Sequence, residues 1–298
     1  MHRLRRPRRP RGDTPLTQPF RLRRPRESDR VPVVYDSPHS GRHYPPDLET
    51  TLPRTDLRRA EDAYVDELLE GAVAYGIAVL DATFPRSYID LNRAATDIDP
   101  EILSEPWPTP LAPTEESSRG RGLIRRVVGS GAPINTRRLS PAEVQARIDR
   151  VYTPYHAALD ALIESTRERF GMVWHINWHS MKSKGNAMTP GGDVMRRVDA
   201  IVSDADGRTA SPEVTRFIAY TLRGLGMRVA VNEPYKGGHI VRRIGAPARR
   251  VHSVQVELNR ALYLDEQSVT KTTGLVALGR LIEVASREIG VVAAMQAE

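Results

Sequence analysis

The chain has 298 residues, of which 40% are hydrophobic and 27% charged, with a net charge of +7 and no cysteine. This length suits one large domain or two small ones, and the hydrophobic fraction is sufficient for a buried core. The absence of cysteine excludes disulfides, thiolate metal sites, iron–sulfur clusters and a cysteine nucleophile. No run of 18 apolar residues occurs, so no membrane-spanning helix is predicted.

The positive charge is concentrated in the first 30 residues. This segment holds 11 Arg, no Lys and three acidic residues, for a local charge of +8 that leaves −1 for the other 268 residues. Because residues 1–28 are rich in Arg and Pro and poor in aliphatic side chains, we predict a disordered tail there and one folded domain over residues 29–298. A solvated tail is favoured over a phosphate-binding arm. The segment lacks the apolar core of a secretory signal, so we expect a cytoplasmic protein.

Short apolar runs alternate with longer amphipathic segments from residue 31 onward, and this pattern predicts an α/β domain. Strands are predicted at residues 31–35, 77–82, 172–178, 198–203, 227–232 and 252–258. Between the second and third strands, residues 94–135 are rich in Pro and Gly and have weak periodicity. We therefore expect a long loop region there that contributes to a substrate site.

Three helices are well marked in the sequence. Ser140 and Glu143 form a capping box with Pro at the first helical position, which predicts a helix that ends at Gly171 and is kinked at Pro154. The pair Ser211-Pro212 opens a second helix that closes near residues 224–226. A last helix is predicted over residues 266–289.

Three polar residues fall at or just past the ends of predicted strands. His39 follows the first strand, His179 follows the third, and Glu257 lies near the end of the last. In open α/β sheets the ligand crevice lies beyond the carboxyl ends of the strands, so these side chains are expected to meet there. Taken singly, His39 is also compatible with a backbone-bonded loop histidine, and His179 with a buried core histidine. His43 is a rival ligand, although the Gly and Pro around it indicate a loop.

Asp62 is the carboxylate that would complete this group. A helix starting near Thr55 would place Asp62 and Asp66 beside an apolar face. A carboxylate there needs a cation, because desolvating it unpaired is costly, and either an Arg or a metal ion satisfies it. Two histidines and one carboxylate with an open fourth position form the ligand set of a catalytic zinc ion. A further Glu beside such a site is suited to act as general base on the water held by the metal.

Two segments are suited to an anionic substrate. Asp90-Leu-Asn-Arg93 offers an Arg for bidentate recognition of a carboxylate. Tyr235-Lys-Gly-Gly-His239 is a glycine turn with Arg242 beyond it, and its adjacent glycines permit close backbone approach to a ligand. The phosphate-loop, dinucleotide and nucleophile-elbow motifs are missing from the sequence, which disfavours nucleotide-dependent and serine-hydrolase functions.

Together these segments resemble the N-formylglutamate amidohydrolases, a zinc-dependent family related in fold to metallocarboxypeptidases. The resemblance runs from about residue 31 to residue 266, and eight pieces occur in the family's order. They are Ser37-Pro-His-Ser-Gly41, Glu61-Asp-Ala-Tyr-Val-Asp66, Arg86-Ser-Tyr-Ile-Asp-Leu-Asn-Arg93, Gly122-Leu-Ile124, Tyr155-His156, Trp178-His-Ser-Met181, Tyr235-Lys-Gly-Gly-His-Ile240 and Val254-Gln-Val-Glu-Leu258. The resemblance implies a single three-layer α/β domain of the phosphorylase/hydrolase-like kind, in which helices flank a central mixed sheet.

The resemblance also implies the metal centre. His39, Asp62 and His179 would bind one Zn²⁺ ion, and Glu257 would be the general base that activates water. One departure concerns Asn177, two residues before the second histidine, where the family usually has an acidic residue. If that acid orients the histidine, an Asn there weakens the metal site.

The implied substrate is an N-formyl or other N-acyl amino acid, in particular N-formyl-L-glutamate, which would be hydrolysed to formate and L-glutamate in histidine catabolism. Arg93 would bind its carboxylate with the help of Asn92, and further pocket candidates are Arg86, Arg125, His239 and Arg242. We expect this small carboxylate to be the partner, rather than a membrane or a nucleic acid. The alternatives are a carboxypeptidase-like or other N-acyl amide hydrolase, a nucleic-acid-binding protein that uses the basic tail, and an inactive family member.

Overall fold

A mixed β-sheet runs through the centre of the molecule. The computed structural model describes residues 18–185 and 196–297. Their strands are β1 Phe20–Arg23, β2 Val33–Ser37, β3 Ala78–Ala82, β4 Val173–Met181, β5 Ala200–Ser203, β6 Val229–Val231, β7 Val251–Asn259, β8 Leu264–Asp265 and β9 Thr270–Lys271. Seven strands form one sheet in the order β1-β3-β2-β4-β7-β5-β6, and β8 pairs with β9 separately. Strands β3, β2, β4 and β7 are parallel, whereas β1 and β5 each run antiparallel to their neighbours β3 and β7.

Helices cover both faces of this sheet. The α-helices of the described residues are α1 Arg54–Arg58, α2 Val65–Leu68, α3 Glu115–Ser118, α4 Pro141–Arg147, α5 Thr153–Phe170, α6 Pro212–Gly224, α7 His239–Ile244 and α8 Gly274–Ala297. Helices α2, α6 and α8 bury their apolar side chains on one face, and α1, α4, α5 and α7 on the other. Alternate residues of β2 divide the two cores, because Val33 and Tyr35 point into the first and Val34 into the second. The predicted three-layer α/β architecture is confirmed.

The six predicted strands are all present, with ends shifted by up to three residues. They read as continuous apolar runs because central parallel strands are buried on both faces. The capping box is also confirmed, since the Ser140 hydroxyl accepts from the Glu143 N–H and the Glu143 carboxylate accepts from the Ser140 N–H. The helix that it opens is interrupted by a π-helical turn at Ile148–Tyr152, next to Pro154, and ends at Gly171 with a φ of 71°. The missing N–H of Pro154 explains an interruption at this point.

The prediction for the last helix was wrong at its start. Residues 264–271 form the β8–β9 hairpin, and α8 begins only at Gly274 and extends to Ala297. The Asp265 carboxylate accepts hydrogen bonds from the N–H groups of Gln267 and Ser268, which turns the chain away from a helical path. Residues 94–135 contain a single helical turn at Pro100–Ile102 and the short α3, so the predicted loop region is confirmed.

The predicted N-terminal tail, residues 1–28, was wrong from residue 20 onward. Residues 20–23 form β1, which extends the sheet beside β3, and residues 27–29 form a 3₁₀ turn. Phe20 and Leu22 pack on the second core, whereas Arg21 and Arg23 reach the buried Asp81. The composition of this stretch is polar, but its alternation of apolar and charged residues is that of a half-buried strand. Residues 1–17 of the predicted tail, and with them most of the nucleic-acid alternative, lie outside the described residues.

Within the described ranges, no helix combines the length and the hydropathy needed to cross a bilayer.

Candidate metal centre and active-site cleft

Three elements bring His39, Asp62 and His179 together at the carboxyl edge of the parallel strands. His39 lies in the turn that follows β2, and His179 lies within β4 rather than after it. The His39 turn is held close to β3, because a Cβ on Gly41 would stand 2.1 Å from the Phe84 carbonyl oxygen. Only glycine permits that approach.

Asp62 does not lie on a helix as predicted. Helix α1 ends at Arg58, and Tyr64 adopts a left-handed conformation with a φ of 67° before α2 begins. Asp62 occupies the turn between them, where its N–H donates to the His39 carbonyl oxygen at 3.0 Å. This backbone bond, and not helical periodicity, places the carboxylate beside the histidine.

The facing atoms of the three residues form a compact group. The Nδ1 atoms of His39 and His179 lie 3.2 Å and 2.8 Å from Oδ2 of Asp62. One ligand atom from each residue lies within 4.8 Å of the others, and all three side chains are buried. The second carboxylate oxygen, Oδ1, accepts hydrogen bonds from Ser180 and Arg260. Burial alone would raise the pKa of Asp62, but the hydrogen bonds from the two histidines hold it well below its usual range.

The remaining ring nitrogens already have partners. Nε2 of His39 lies 2.6 Å from Oδ1 of Asp90, and Nε2 of His179 lies 2.7 Å from Oδ1 of Asn177. Since a carboxylate and an amide oxygen only accept, both Nε2 atoms carry a proton, so Nδ1 is the nitrogen of each ring that would present a lone pair to a metal ion. The amide nitrogen of Asn92 also lies 3.1 Å from Nε2 of His179. The shorter contact with Asn177 is the one that requires the proton.

This donor set fits a divalent metal ion. Two imidazole nitrogens and one carboxylate oxygen converge, and a cation among them would be bound by all three. Each histidine is oriented from behind by a hydrogen-bond acceptor, which is the usual arrangement around metal-binding histidines. His39, Asp62 and His179 can therefore hold a metal ion, with the fourth direction open to the cleft.

Glu257 lies next to this group on the adjacent strand. In the parallel pairing of β4 and β7 it stands directly opposite His179. Its Oε1 accepts a hydrogen bond of 2.9 Å from the amide of Gln255. Burial raises the pKa of Glu257 to about 6, the nearby His179 lowers it, and the negative charge of Asp62 adds to the rise. A carboxyl group with this pKa can accept and release a proton near neutral pH.

The group opens into a cleft of about 910 Å³ with a strongly cationic lining. Its lining includes His39, His179 and Glu257 together with the basic residues Arg59, Arg86, Arg93, Arg121, Arg125, Lys182, Lys236, Arg242 and Arg260. Loop residues of the 94–135 region, such as Glu116 and Val127, form one wall. The charge of this lining favours an anionic ligand.

Arg125 is the most perturbed cation of the cleft. It is 9% exposed, and its Nε has no hydrogen-bond partner among the described residues. The nearest carboxylate, Asp90, lies 3.6 Å away and is already bonded by Arg86 and His39. Burial and the repulsion of Arg86 lower the pKa of Arg125 to about 9. An anion bound in the cleft would supply the charge that this guanidinium lacks.

The sequence matches the family described as N-formylglutamate amidohydrolase over residues 31–264. The chain belongs to the N-formylglutamate amidohydrolase family. It is thus a hydrolase that acts on an amide. It is 42% identical to the N-formylglutamate amidohydrolase of Ralstonia eutropha JMP134, whose crystal structure superposes with a TM-score of 0.87 and covers 93% of this chain and 99% of that one. It is 28% identical to the N-formylglutamate deformylase of Pseudomonas aeruginosa over 243 residues, 80% of this chain and 84% of that protein.

In this N-formylglutamate amidohydrolase family member, the other predicted residues divide into two groups. Arg93, 3.4 Å from Glu116, and Arg242 at the rim both line the cleft. His239 is not among the lining residues, and its Nε2 lies 3.4 Å from the Tyr152 hydroxyl.

Asn92 also lines the cleft, but it is held from behind by the glycine turn. Its Oδ1 accepts from the Ile240 N–H at 2.8 Å. Gly238 lets the backbone approach Asn92 rather than a ligand. A Cβ on Gly238 would stand 2.4 Å from the Asn92 amide nitrogen. His43, the rival ligand, stacks edge-on against Phe84 instead.

Sequence analysis missed the residues that support this centre. Asp90 orients His39, Arg260 bonds Asp62, and Gln255 holds Glu257. Asp90 lay in a quoted motif, but only its Arg and Asn neighbours were assigned a role. Arg260 carried no sequence signal, because any of the 40 Arg of the chain was an equally good partner for Asp62.

Proposed function

We propose that the protein hydrolyses N-formyl-L-glutamate to formate and L-glutamate in a reaction that depends on one bound Zn²⁺ ion. The observation that carries this proposal is the convergence of the two Nδ1 atoms and the Asp62 carboxylate, with both Nε2 protons engaged elsewhere. The relatives named above are described as N-formylglutamate amidohydrolase and N-formylglutamate deformylase. Their substrate supplies the anion that the cationic cleft requires.

Zinc is the metal that this ligand set favours. Two imidazole nitrogens and one carboxylate oxygen, with an open fourth position, match catalytic zinc sites. When bound, the ion supplies Lewis acidity that polarises a carbonyl oxygen and lowers the pKa of water. The chain's own contribution is the fixed orientation of both imidazoles and of a carboxylate whose other oxygen is taken by Arg260.

Glu257 acts as general base and then as general acid. Its carboxylate accepts the proton of the attacking water and later delivers that proton to the leaving amino nitrogen. Its position opposite His179 in the lining of the cleft supports this role, and its pKa of about 6 leaves it mostly ionised at neutral pH. The hydrogen bond from Gln255 fixes the carboxylate and favours its charged form.

The basic residues of the cleft bind the substrate's carboxylates. Arg125, which lacks a full ionic partner, is the principal anchor, and Arg93 with Asn92 binds beside it. Arg86 is bonded to Asp90 at 2.8 Å, so it supports the His39 partner as well as the pocket charge. Arg242 binds at the rim. Two carboxylates on one small substrate match several converging cations better than a single one would.

The test is a metal and substrate series on purified protein. Chelation should abolish hydrolysis of N-formylglutamate, and added Zn²⁺ should restore it. The Glu257→Gln variant should lose about 100-fold or more in kcat while retaining its metal. An exposed control, Glu213→Gln on α6, should behave as wild type. Faster hydrolysis of N-succinylglutamate or of a peptide than of N-formylglutamate would instead assign the protein to a different class of amide hydrolase.

A further inference from the structure

We infer that Asp36 is a positioning residue for the metal centre, because it fixes the orientation of Asn177 and through it the tautomer of His179. This inference rests on the metal site of the proposed function. It concerns a buried carboxylate that touches neither the metal ligands nor the cleft.

The strand register creates the contact. In the parallel pairing of β2 and β4, Asp36 stands opposite Asn177. The Asn177 amide donates from Nδ2 to Oδ1 of Asp36 at 2.7 Å, and its Oδ1 accepts from Nε2 of His179 at 2.7 Å. All three side chains are at most 3% exposed, so water does not compete for these bonds.

Asp36 leaves the Asn177 amide only one orientation. A carboxylate cannot donate, so the edge of the amide that faces Asp36 must be the NH₂ group. The carbonyl edge then faces His179 and requires a proton on Nε2. With Nε2 protonated, the nitrogen left to bind a metal ion is Nδ1, which faces Asp62. The tautomer needed for metal binding is therefore set from Asp36, two hydrogen bonds away.

Asp36 is itself held as a fixed acceptor. The Tyr155 hydroxyl donates to its Oδ2 at 2.9 Å, and Nε2 of His175 donates to its Oδ1 at 2.9 Å. The other nitrogen of His175 meets the Ser253 hydroxyl at 2.8 Å. Burial opposes ionisation, but His175 and these hydrogen bonds keep the pKa of Asp36 below its usual range. The negative charge is thus present, yet it lies one residue further from the metal than a carboxylate at position 177 would.

This arrangement explains why an amide is suited to position 177. A carboxylate there would stand 2.7 Å from a buried carboxylate at position 36, and two such charges cannot both be accommodated. Exchanging the two groups avoids the conflict. In the double variant Asp36→Asn/Asn177→Asp, His179 would donate directly to the carboxylate at position 177. The amide at position 36 would donate to the same carboxylate from the other side.

The experiment measures the Zn²⁺ dissociation constant of each folded variant by competition with a chelator. Asp36→Asn should weaken binding by about 10- to 100-fold, because the Asn177 amide is then free to flip. The double exchange should recover most of that loss. Tyr35→Phe, which removes a buried hydrogen bond to Ser286 from the neighbouring residue of β2 and does not involve Asp36, should leave the affinity unchanged. Asn177→Ala interrupts the same chain and should weaken binding as Asp36→Asn does, which keeps the test available if Asp36→Asn fails to fold.

A second readout needs no metal. The ¹⁵N chemical shifts of His179 in the metal-free protein should show a proton on Nε2 in the wild type and in the double exchange, and partial loss of that proton in Asp36→Asn. If the wild type binds no Zn²⁺ but carries this Nε2 proton, the proposed function fails and the positioning role stands. If Asp36→Asn keeps both the wild-type affinity and the Nε2 proton, or if the double exchange recovers neither, Asp36 does not position His179.

Discussion

The backbone N–H of Asp62 donates to the carbonyl oxygen of His39, so the turn that carries the first histidine also holds the carboxylate in place. This bond joins residues 23 positions apart in the chain, and it is independent of the side chains that face the proposed metal. The carboxylate of Asp62 is buried, so each of its two oxygens needs a hydrogen-bond or ionic partner. Arg260 matches Oδ1, and the proposed metal matches Oδ2.

Replacing Arg260 should therefore destabilise the metal-free protein more than the metal-bound protein. In Arg260→Met, Asp62 is left as a buried charge without its guanidinium, at a cost of about 3 kcal/mol or more in the free energy of unfolding. Added Zn²⁺ should raise the melting temperature more in this variant than in the wild type, because the ion then supplies the missing charge. The control is Arg59→Met, since Arg59 lines the same cleft but bonds Asp56 and the Gln267 carbonyl oxygen. An equal effect of Zn²⁺ on wild type and Arg260→Met would contradict this account of Asp62.

The fall of kcat/KM at low pH, the acid limb of the pH profile, should follow the protonation of Glu257. The base works when it is ionised, and its pKa is raised to about 6, so kcat/KM should fall as the pH drops below about 6. Gln255→Leu removes the hydrogen bond that favours the ionised form. The limb should then move to higher pH by about one unit. Gln255 also accepts a hydrogen bond from the Gly238 N–H, so its loss could lower the overall activity for a separate reason. The readout is therefore the pH at which activity falls, and not the maximum activity. A limb that does not move in Gln255→Leu would mean that another group titrates there.

The convergence of His39, His179 and Glu257 could be predicted because it depends on a general property of the fold. Parallel strands place their carboxyl ends on one edge of a sheet, and β2, β4 and β7 are each marked by a buried apolar run. The direct pairing of β4 with β7, which the sequence did not indicate, then brings His179 opposite Glu257.

The position of Asp62 could not be predicted in the same way. Its periodicity matched a helix, but the chain leaves helical geometry at Tyr64, a non-glycine residue in the left-handed region. That conformation is stabilised by tertiary contacts, such as the hydrogen bond from the Tyr64 hydroxyl to the Val269 carbonyl oxygen, 205 residues away. Arg260 and Asp36 were missed for the same reason, because their partners are distant in the sequence and a local pattern does not identify them.

Arg125 should contribute to substrate binding at the expense of the stability of the free protein. In Arg125→Met the lost carboxylate contact should raise KM for N-formylglutamate by roughly 30-fold, equivalent to about 2 kcal/mol. The melting temperature should stay the same or rise, because a buried cation repelled by Arg86 has been removed. Arg126→Met is the matched control, since Arg126 pairs with Asp99 and Glu101 and does not line the cleft. A variant that loses stability and keeps its KM would assign Arg125 to the fold instead.

The first strand should show a pH-dependent contribution from the pair of Arg23 and Asp81. Arg23 lies 2.7 Å from the carboxylate of Asp81, and burial still raises the pKa of Asp81 to about 6. A raised carboxyl pKa means that the folded state resists ionisation, so the stability present at low pH declines as the pH rises through about 6. Without Arg23 the pKa rises further, and this decline becomes larger.

Arg23→Met should accordingly lower the free energy of unfolding by about 1–3 kcal/mol at pH 8 and by less at pH 5. Urea unfolding at the two pH values measures the difference. Arg24→Met, at the exposed neighbouring position, should have little effect at either pH. Equal destabilisation at pH 5 and pH 8 would show that Arg23 contributes only by packing on the edge of the sheet, and that its charge is not needed by Asp81.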